Sequence, residues 1–254
     1  MAFHMKLKEA RLAEKSCYMC EKSATTREHV PPRCLFPEIS ENASLGFPGK
    51  DFRKNLFIVP SCEEHNSGKS KDDEFLWYSL SFCNAINHLA VKYFLSKGKR
   101  AHKHHPGIFQ RMFQRSRMTI LTDEDGEYRA PKFYFEPERF ALLMERVGKG
   151  LYFRHYGKKY RGAVQTHAEY AGVDVVCAGI GAELIARMKI EELFQSRERI
   201  KEEFSGADEY GENREVFYYS AKEINGNLMM RLTFYEGARV LLIFSGDRSS
   251  LLSV

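Results

Sequence analysis

The sequence predicts an α+β protein in which a metal-braced N-terminal segment precedes a mixed helical and antiparallel-strand C-terminal region. Three observations carry that expectation. Cys17 and Cys20 are separated by two residues, and Cys62 and His65 repeat the spacing. One tight turn at that spacing can present two ligands to one ion, and together the four residues make the Cys₃His set of a closed structural zinc site. Apolar residues recur at helical spacing through residues 75–96 and again through 137–156. Towards the C-terminus, apolar runs at residues 216–220, 228–235 and 239–244 are separated by Asn225-Gly226-Asn227 and Glu236-Gly237. That is the turn chemistry of an antiparallel meander.

The elements follow in order. Residues 1–5 have the look of a cloning remnant, with a natural start expected at Met5, and they contribute nothing to the expected fold. Residues 6–15 read as a short charged helix leading into the first ligand pair. The stretch between Pro31 and Phe52 is rich in Pro, Gly, Ser and Asn and reads as an extended loop. Residues 56–59 form a short strand ending at Pro60, and a helix starts near Ser67 with Lys69 in its first turn. Asp72, Asp73 and Glu74 then sit at the positive end of that helix; helix-end electrostatics explains them better than metal binding. A long helix is expected to continue to about residue 96, with Asn84, Asn87 and His88 as polar interruptions of its apolar pattern and His88 a structural or surface histidine.

Residues 92–117 carry eight Lys/Arg and no Asp or Glu. A solvated helix face accounts for many such runs; phosphate contact, which is charge-dominated, accounts for this one slightly better, with Lys99, Arg100, Lys103 and Arg111 as the contacts. A hairpin is expected from residues 118–121 and 128–135 around Asp125-Gly126. Pro137 opens the next helix and Gly157 stops it, and the aromatic-basic tail at residues 152–157 reads as packing rather than base stacking. Residues 173–178 are a candidate strand, 182–204 a charged helix and 206–213 a loop. The expected organisation is an N-terminal helix at 1–16, a metal-braced domain at 17–97 with a long exit helix, and an α+β domain at 98–254.

A hydrophobic content of 43% and an aromatic content of 13% exclude a disordered chain, and the net charge of +5 suits a polyanionic partner. No apolar run reaches the ~20 residues of a membrane span. The N-terminus has no secretory pattern, so a cytoplasmic protein with reduced thiols is expected. Cys34, Cys83 and Cys177 then read as small buried hydrophobes.

Between and beside the ligand pairs lie Glu28-His29-Val30-Pro31, Asn55 before an apolar run, and Asn66-Ser67-Gly68-Lys69. In this order the segment 17–74 resembles the HNH (ββα-metal, His-Me finger) endonuclease motif, in the subgroup whose finger is held by zinc. It differs in having Glu28 where Asp is commoner, His65 as the last zinc ligand and Asn66 as the third motif letter. The residues suit the chemistry. Phosphodiester hydrolysis needs a base for water and a cation for the transition-state charge. An imidazole such as that of His29 has an unperturbed pKa near neutrality, which suits a base, and the oxygens of Glu28 and Asn66 suit a hard ion such as Mg²⁺ or Mn²⁺. The resemblance implies these roles, and further that Asn55 fixes the loop carrying His29 and that Lys69 lies near a phosphate. It also implies DNA as substrate in preference to RNA, and phage defence or restriction as the setting. Oligomeric state is left open, a homodimer included. The competing reading is a non-catalytic zinc module that binds nucleic acid or protein; the intact Glu28, His29 and Asn66 set argues against it. The C-terminal half is only loosely like that of uncharacterised bacterial HNH proteins.

Overall fold

The computed structural model describes residues 16–66, 70–81, 86–104, 117–123, 126–132, 136–169 and 198–245. Its first layer is a two-stranded antiparallel pair, β1 (Thr26–His29) and β2 (Ile58–Ser61), in the register Thr26↔Ser61 to His29↔Ile58. β2 begins two residues later than expected and contains Pro60. A proline is tolerated there because each strand of a two-stranded pair has a free edge.

The connection between the strands is not a plain loop. It holds a 3₁₀ turn (Arg33–Leu35) and a helix, α1 (Ile39–Leu45). A reciprocal capping box between Glu38 and Glu41 starts α1, and Gly46 at φ 97° ends it. The Ser and Asn content that suggests a loop hides this helix, because Asn42 is buried and its amide donates to the carbonyl of Lys50.

Helical turn α2 (Glu63–Asn66), helix α3 (Ser70–Ser81) and helix α4 (His88–His104) follow. The single helix expected through residues 75–96 is therefore broken before α4. Asn87 explains the restart. Its Oδ1 accepts the Ala90 N–H at 3.0 Å as an N-cap, its Nδ2 donates to the Glu215 carbonyl at 2.8 Å, and its own N–H donates to the Tyr235 carbonyl at 2.9 Å. Helical periodicity survives the break because both helices bury a face on the same aromatic group. The Trp77 ring of α3 lies 5.8 Å from that of Tyr93 and 5.5 Å from that of Phe94 on α4.

A separate hairpin pairs β3 (Arg117–Asp123) with β4 (Gly126–Lys132), Asp123 opposite Gly126, as the turn chemistry predicts. Helix α5 (Pro137–Tyr156) has Pro137 in its first turn and Gly157 as a left-handed cap at φ 70°. The C-terminal sheet is larger than the three expected strands. β5 (Ala163–Ala168), β6 (Glu209–Tyr210), β7 (Phe217–Ile224), β8 (Asn227–Phe234) and β9 (Ala238–Ser245) run antiparallel in the order β5-β9-β8-β7-β6. β6 falls inside the expected 206–213 loop. Both added strands lie at sheet edges, where β5 alternates exposed with half-buried residues.

α5 runs between the sheet and the first layer. A Cβ on Gly148 would come within 2.6 Å of Leu242 Cδ1 on β9, and one on Gly150 within 2.7 Å of Val30 Cγ2. Positions two apart on a helix point roughly 200° apart. Two glycines thus let opposite sides of one helix touch both layers.

One buried cluster extends from Cys17 to Phe244, so the core is continuous across the expected boundary at residues 97 and 98. Tyr235 donates its hydroxyl to the Leu35 carbonyl at 2.7 Å, and the Asn213 amide donates to Phe52 O at 3.0 Å. Residues 198–203, at the end of the expected 182–204 helix, are helical; the rest of that helix, apart from Phe204, lies outside the described residues, as do the strand at 173–178 and the helix at 6–15. No described helix is long and apolar enough to cross a membrane.

Asn87→Ala removes the cap and the link to Glu215 together. It is expected to destabilise the protein by about 1–2 kcal/mol, read as a lower midpoint in denaturant unfolding.

Candidate metal centre and its neighbourhood

The two ligand pairs meet. Residues 17–20 turn back through a Cys17 N–H to Lys22 O bond of 2.8 Å, and Tyr18 N–H reaches Pro60 O on β2 at 2.9 Å. Cys62 follows β2 directly, and α2 carries His65 back over it, with His65 N–H on Cys62 O at 3.2 Å. The ligand atoms of Cys17, Cys20, Cys62 and His65 all lie within 4.8 Å of one another. His65 Nδ1 is 3.6, 3.5 and 3.2 Å from the sulfurs of Cys17, Cys20 and Cys62, and Cys20 Sγ is 3.8 Å from Cys62 Sγ.

Ordinary zinc bond lengths in a tetrahedron require sulfur–sulfur edges of ~3.8 Å and sulfur–nitrogen edges of ~3.6 Å. The donor set and the spacing both fit a metal ion such as zinc. Electrostatics fits as well. Burial disfavours the Cys17 thiolate, but the backbone N–H groups of Met19, Cys62 and Cys20 outweigh it and leave this thiol below its usual value. For Cys20, the Lys22 N–H favours ionisation, yet burial and the neighbouring Cys62 and Cys17 sulfurs leave the thiol above its usual value. Gathered thiolates repel one another, and a divalent cation removes that repulsion. The nearby Lys22–Glu64 ion pair is solvent-exposed and contributes little by comparison. Cys34 is free, and burial pushes its thiol up to about 12, in keeping with an inert packing role. Cys83 and Cys177 lie outside the described residues.

Glu28 and His29 lie next to this centre on β1. Residues paired across strands share a face, so Glu28 lies on the face of the buried Val59 and His29 on that of Ile58. The Tyr18 hydroxyl donates to Glu28 Oε2 at 3.0 Å, and Ser61 Oγ lies 3.5 Å from the same oxygen. Burial and the Glu28 charge keep the Tyr18 phenol protonated, so it acts as donor. His29 is half-buried, and its imidazole makes no hydrogen bond among the described residues. Burial first, then the charges of Arg33 and Arg53, pull its pKa below the ordinary value, while Glu28 opposes them. Val30 and Pro31, joined by a cis peptide, carry the chain from His29 onto Gly150 of α5.

Asn66 Nδ2 donates to Arg27 O at 3.3 Å, which fixes the end of α2 to the residue before Glu28 and leaves its Oδ1 without a partner among the described residues. Asn55 adopts φ 57° and gives its amide to Glu212 at 2.6 Å, so its side chain ties the approach to β2 to the C-terminal region. Lys69 and Arg111 lie outside the described residues. Lys99, Arg100 and Lys103 fall on the backbone of α4, their side chains outside the description. Asp72 pairs with Arg139 at 2.8 Å and lies 3.8 Å from Arg146, both on α5, an additional use beyond the helix end. Tyr18, Ser61, Arg33, Arg53 and Gly150 are the neighbours that sequence reasoning misses. Tyr18 and Ser61 have a local signal, the one lying between two ligands and the other directly before a third.

Fold and site together define an α+β protein with antiparallel sheets and a Cys₃His cluster that could hold a metal ion such as zinc. No protein-family model matches the chain, and neither does any characterised protein or solved structure.

Purified protein is expected to carry one equivalent of zinc by elemental analysis. Cys17→Ser should lose it with cooperative unfolding of residues 16–66, since binding energy at such a site is folding energy. Acidification should release the ion as the thiolates protonate.

Proposed function

We propose that the chain is a metal-dependent endonuclease of the HNH type, with DNA preferred to RNA as substrate, and that β1, β2 and α2 form its zinc-braced ββα finger. The observation that carries this reading is the position of Glu28-His29 on a strand paired to the approach to Cys62, with Asn66 fixed to that strand through Arg27 O. All three side chains therefore belong to the one segment that the Cys₃His cluster closes.

His29 is the general base. Its lowered pKa keeps the imidazole neutral near neutral pH, and its nitrogens have no protein partner among the described residues to compete for the water proton. Glu28 and Asn66 Oδ1 are the oxygen donors for a second, divalent ion such as Mg²⁺ or Mn²⁺. When bound, such an ion neutralises charge developing on the phosphoryl oxygens. Arg33, exposed on the turn that follows Pro32, places a cation close enough to act on His29 and is suited to meet the scissile phosphate. The biological setting proposed is phage defence or restriction.

With plasmid DNA and Mg²⁺, His29→Ala should keep the zinc and the fold while lowering cleavage by about 10²-fold or more. Glu28→Ala and Asn66→Ala should instead raise the Mg²⁺ concentration required. Only neutral imidazole takes a proton, so wild-type rate should rise with pH, with its midpoint below the ordinary histidine value of about 6.5. Wild-type cleavage by His29→Ala under matched conditions would return the segment to a non-catalytic zinc module.

Neutralising Lys99, Arg100, Lys103 and Arg111 together should flatten the salt dependence of DNA binding by about one unit per lost phosphate contact. An unchanged slope in a filter-binding series would make the run a solvated face.

A further inference from the structure

Tyr18 occupies an unusual place. It lies between Cys17 and Cys20, is 1% exposed, and is held by its backbone N–H on Pro60 O of β2. Its hydroxyl ends 3.0 Å from Glu28 Oε2. From the second ligand pair, Ser61 stands immediately before Cys62 and brings its Oγ to 3.5 Å from the same oxygen, a long contact whose single proton is shared with Cys62 O at 3.3 Å. Each half of the metal cluster thus sends a neighbouring hydroxyl to one carboxylate oxygen, and the Tyr18 bond is the stronger by distance.

A flexible carboxylate would otherwise lose rotamer freedom each time it engaged a cation, and a fixed donor removes much of that cost before binding. We propose that Tyr18 is a positioning residue for Glu28, through which the Cys₃His cluster sets the geometry of a carboxylate that takes up a divalent cation. The inference rests on the reading of Glu28 as a cation ligand. It adds that the structural ion and the catalytic ion are coupled through one side chain, so that loss of the first loosens the second without any ligand being shared.

The test is a double-mutant cycle of wild type, Tyr18→Phe, Glu28→Ala and the double variant, each assayed for zinc content, for Mn²⁺ affinity by electron paramagnetic resonance, and for DNA cleavage across a Mn²⁺ series. Phe keeps the ring that fills the core and removes only the donor. Tyr18→Phe is expected to retain its zinc and bind Mn²⁺ about tenfold more weakly, the scale of one hydrogen bond to a charged group. Its maximal rate at saturating Mn²⁺ should approach that of wild type. In the Glu28→Ala background the same change should do nothing further to Mn²⁺ binding. The proposal is overturned if Tyr18→Phe binds Mn²⁺ as wild type does, if it weakens binding equally with and without Glu28, or if its main effect is loss of zinc. A wild-type protein that binds Mn²⁺ but cuts no nucleic acid would remove the nuclease reading and leave the cycle to decide on Tyr18. One that binds no Mn²⁺ would remove the positioning role.

Discussion

Three thiols and an imidazole gathered within 4.8 Å are the constraint on which the N-terminal half depends. The neighbouring Lys22–Glu64 pair is exposed and screened, and adds little to this closure. Closing that loop sets the approach of β1 to β2. The register puts Glu28 opposite Val59 and His29 opposite Ile58, and so decides which face each side chain takes. A slip of one residue would exchange the faces of the acid and the imidazole.

Helix α5 gives the arrangement its outer support. Its two glycines remove the side chains that would hold the helix away from Leu242 on one side and Val30 on the other. The chain leaving His29 is consequently packed on a helix that is itself packed on the C-terminal sheet. Further polar links follow the same route: Lys159 reaches the Cys20 carbonyl at 3.0 Å, and Asn55 reaches Glu212. Side chains of the C-terminal half therefore fix the first ligand pair and the strand that follows Asn55. That gives it a structural part in the site whatever else it binds.

Around the acid and the imidazole the environment is divided. Glu28 faces inward to a buried phenol, while the imidazole of His29 feels two guanidinium groups and makes no hydrogen bond among the described residues. Two neighbours on one strand thus meet different surroundings, the carboxylate a buried donor and the imidazole burial and positive charge.

By itself the sequence determined whatever is encoded within a few residues. The Cys-x-x-Cys and Cys-x-x-His spacings, the Pro137 and Gly157 ends of α5, and the Asn225-Gly226 turn are local, because a turn or a cap is made by neighbours in the chain. The tertiary structure decided the rest. Asn87 breaks a continuous helical pattern because its partners are at residues 215 and 235, and α1 forms within loop-like composition because Asn42 is buried against Lys50 O. β5 has too weak a pattern to be read alone and exists by pairing with β9, some seventy residues on. The contacts that define the candidate site, Tyr18 on Glu28, Arg53 near His29 and Gly150 under Val30, join positions between ten and about 120 apart. No spacing rule reaches that far, since such contacts are set by how the layers pack and not by the chain between them.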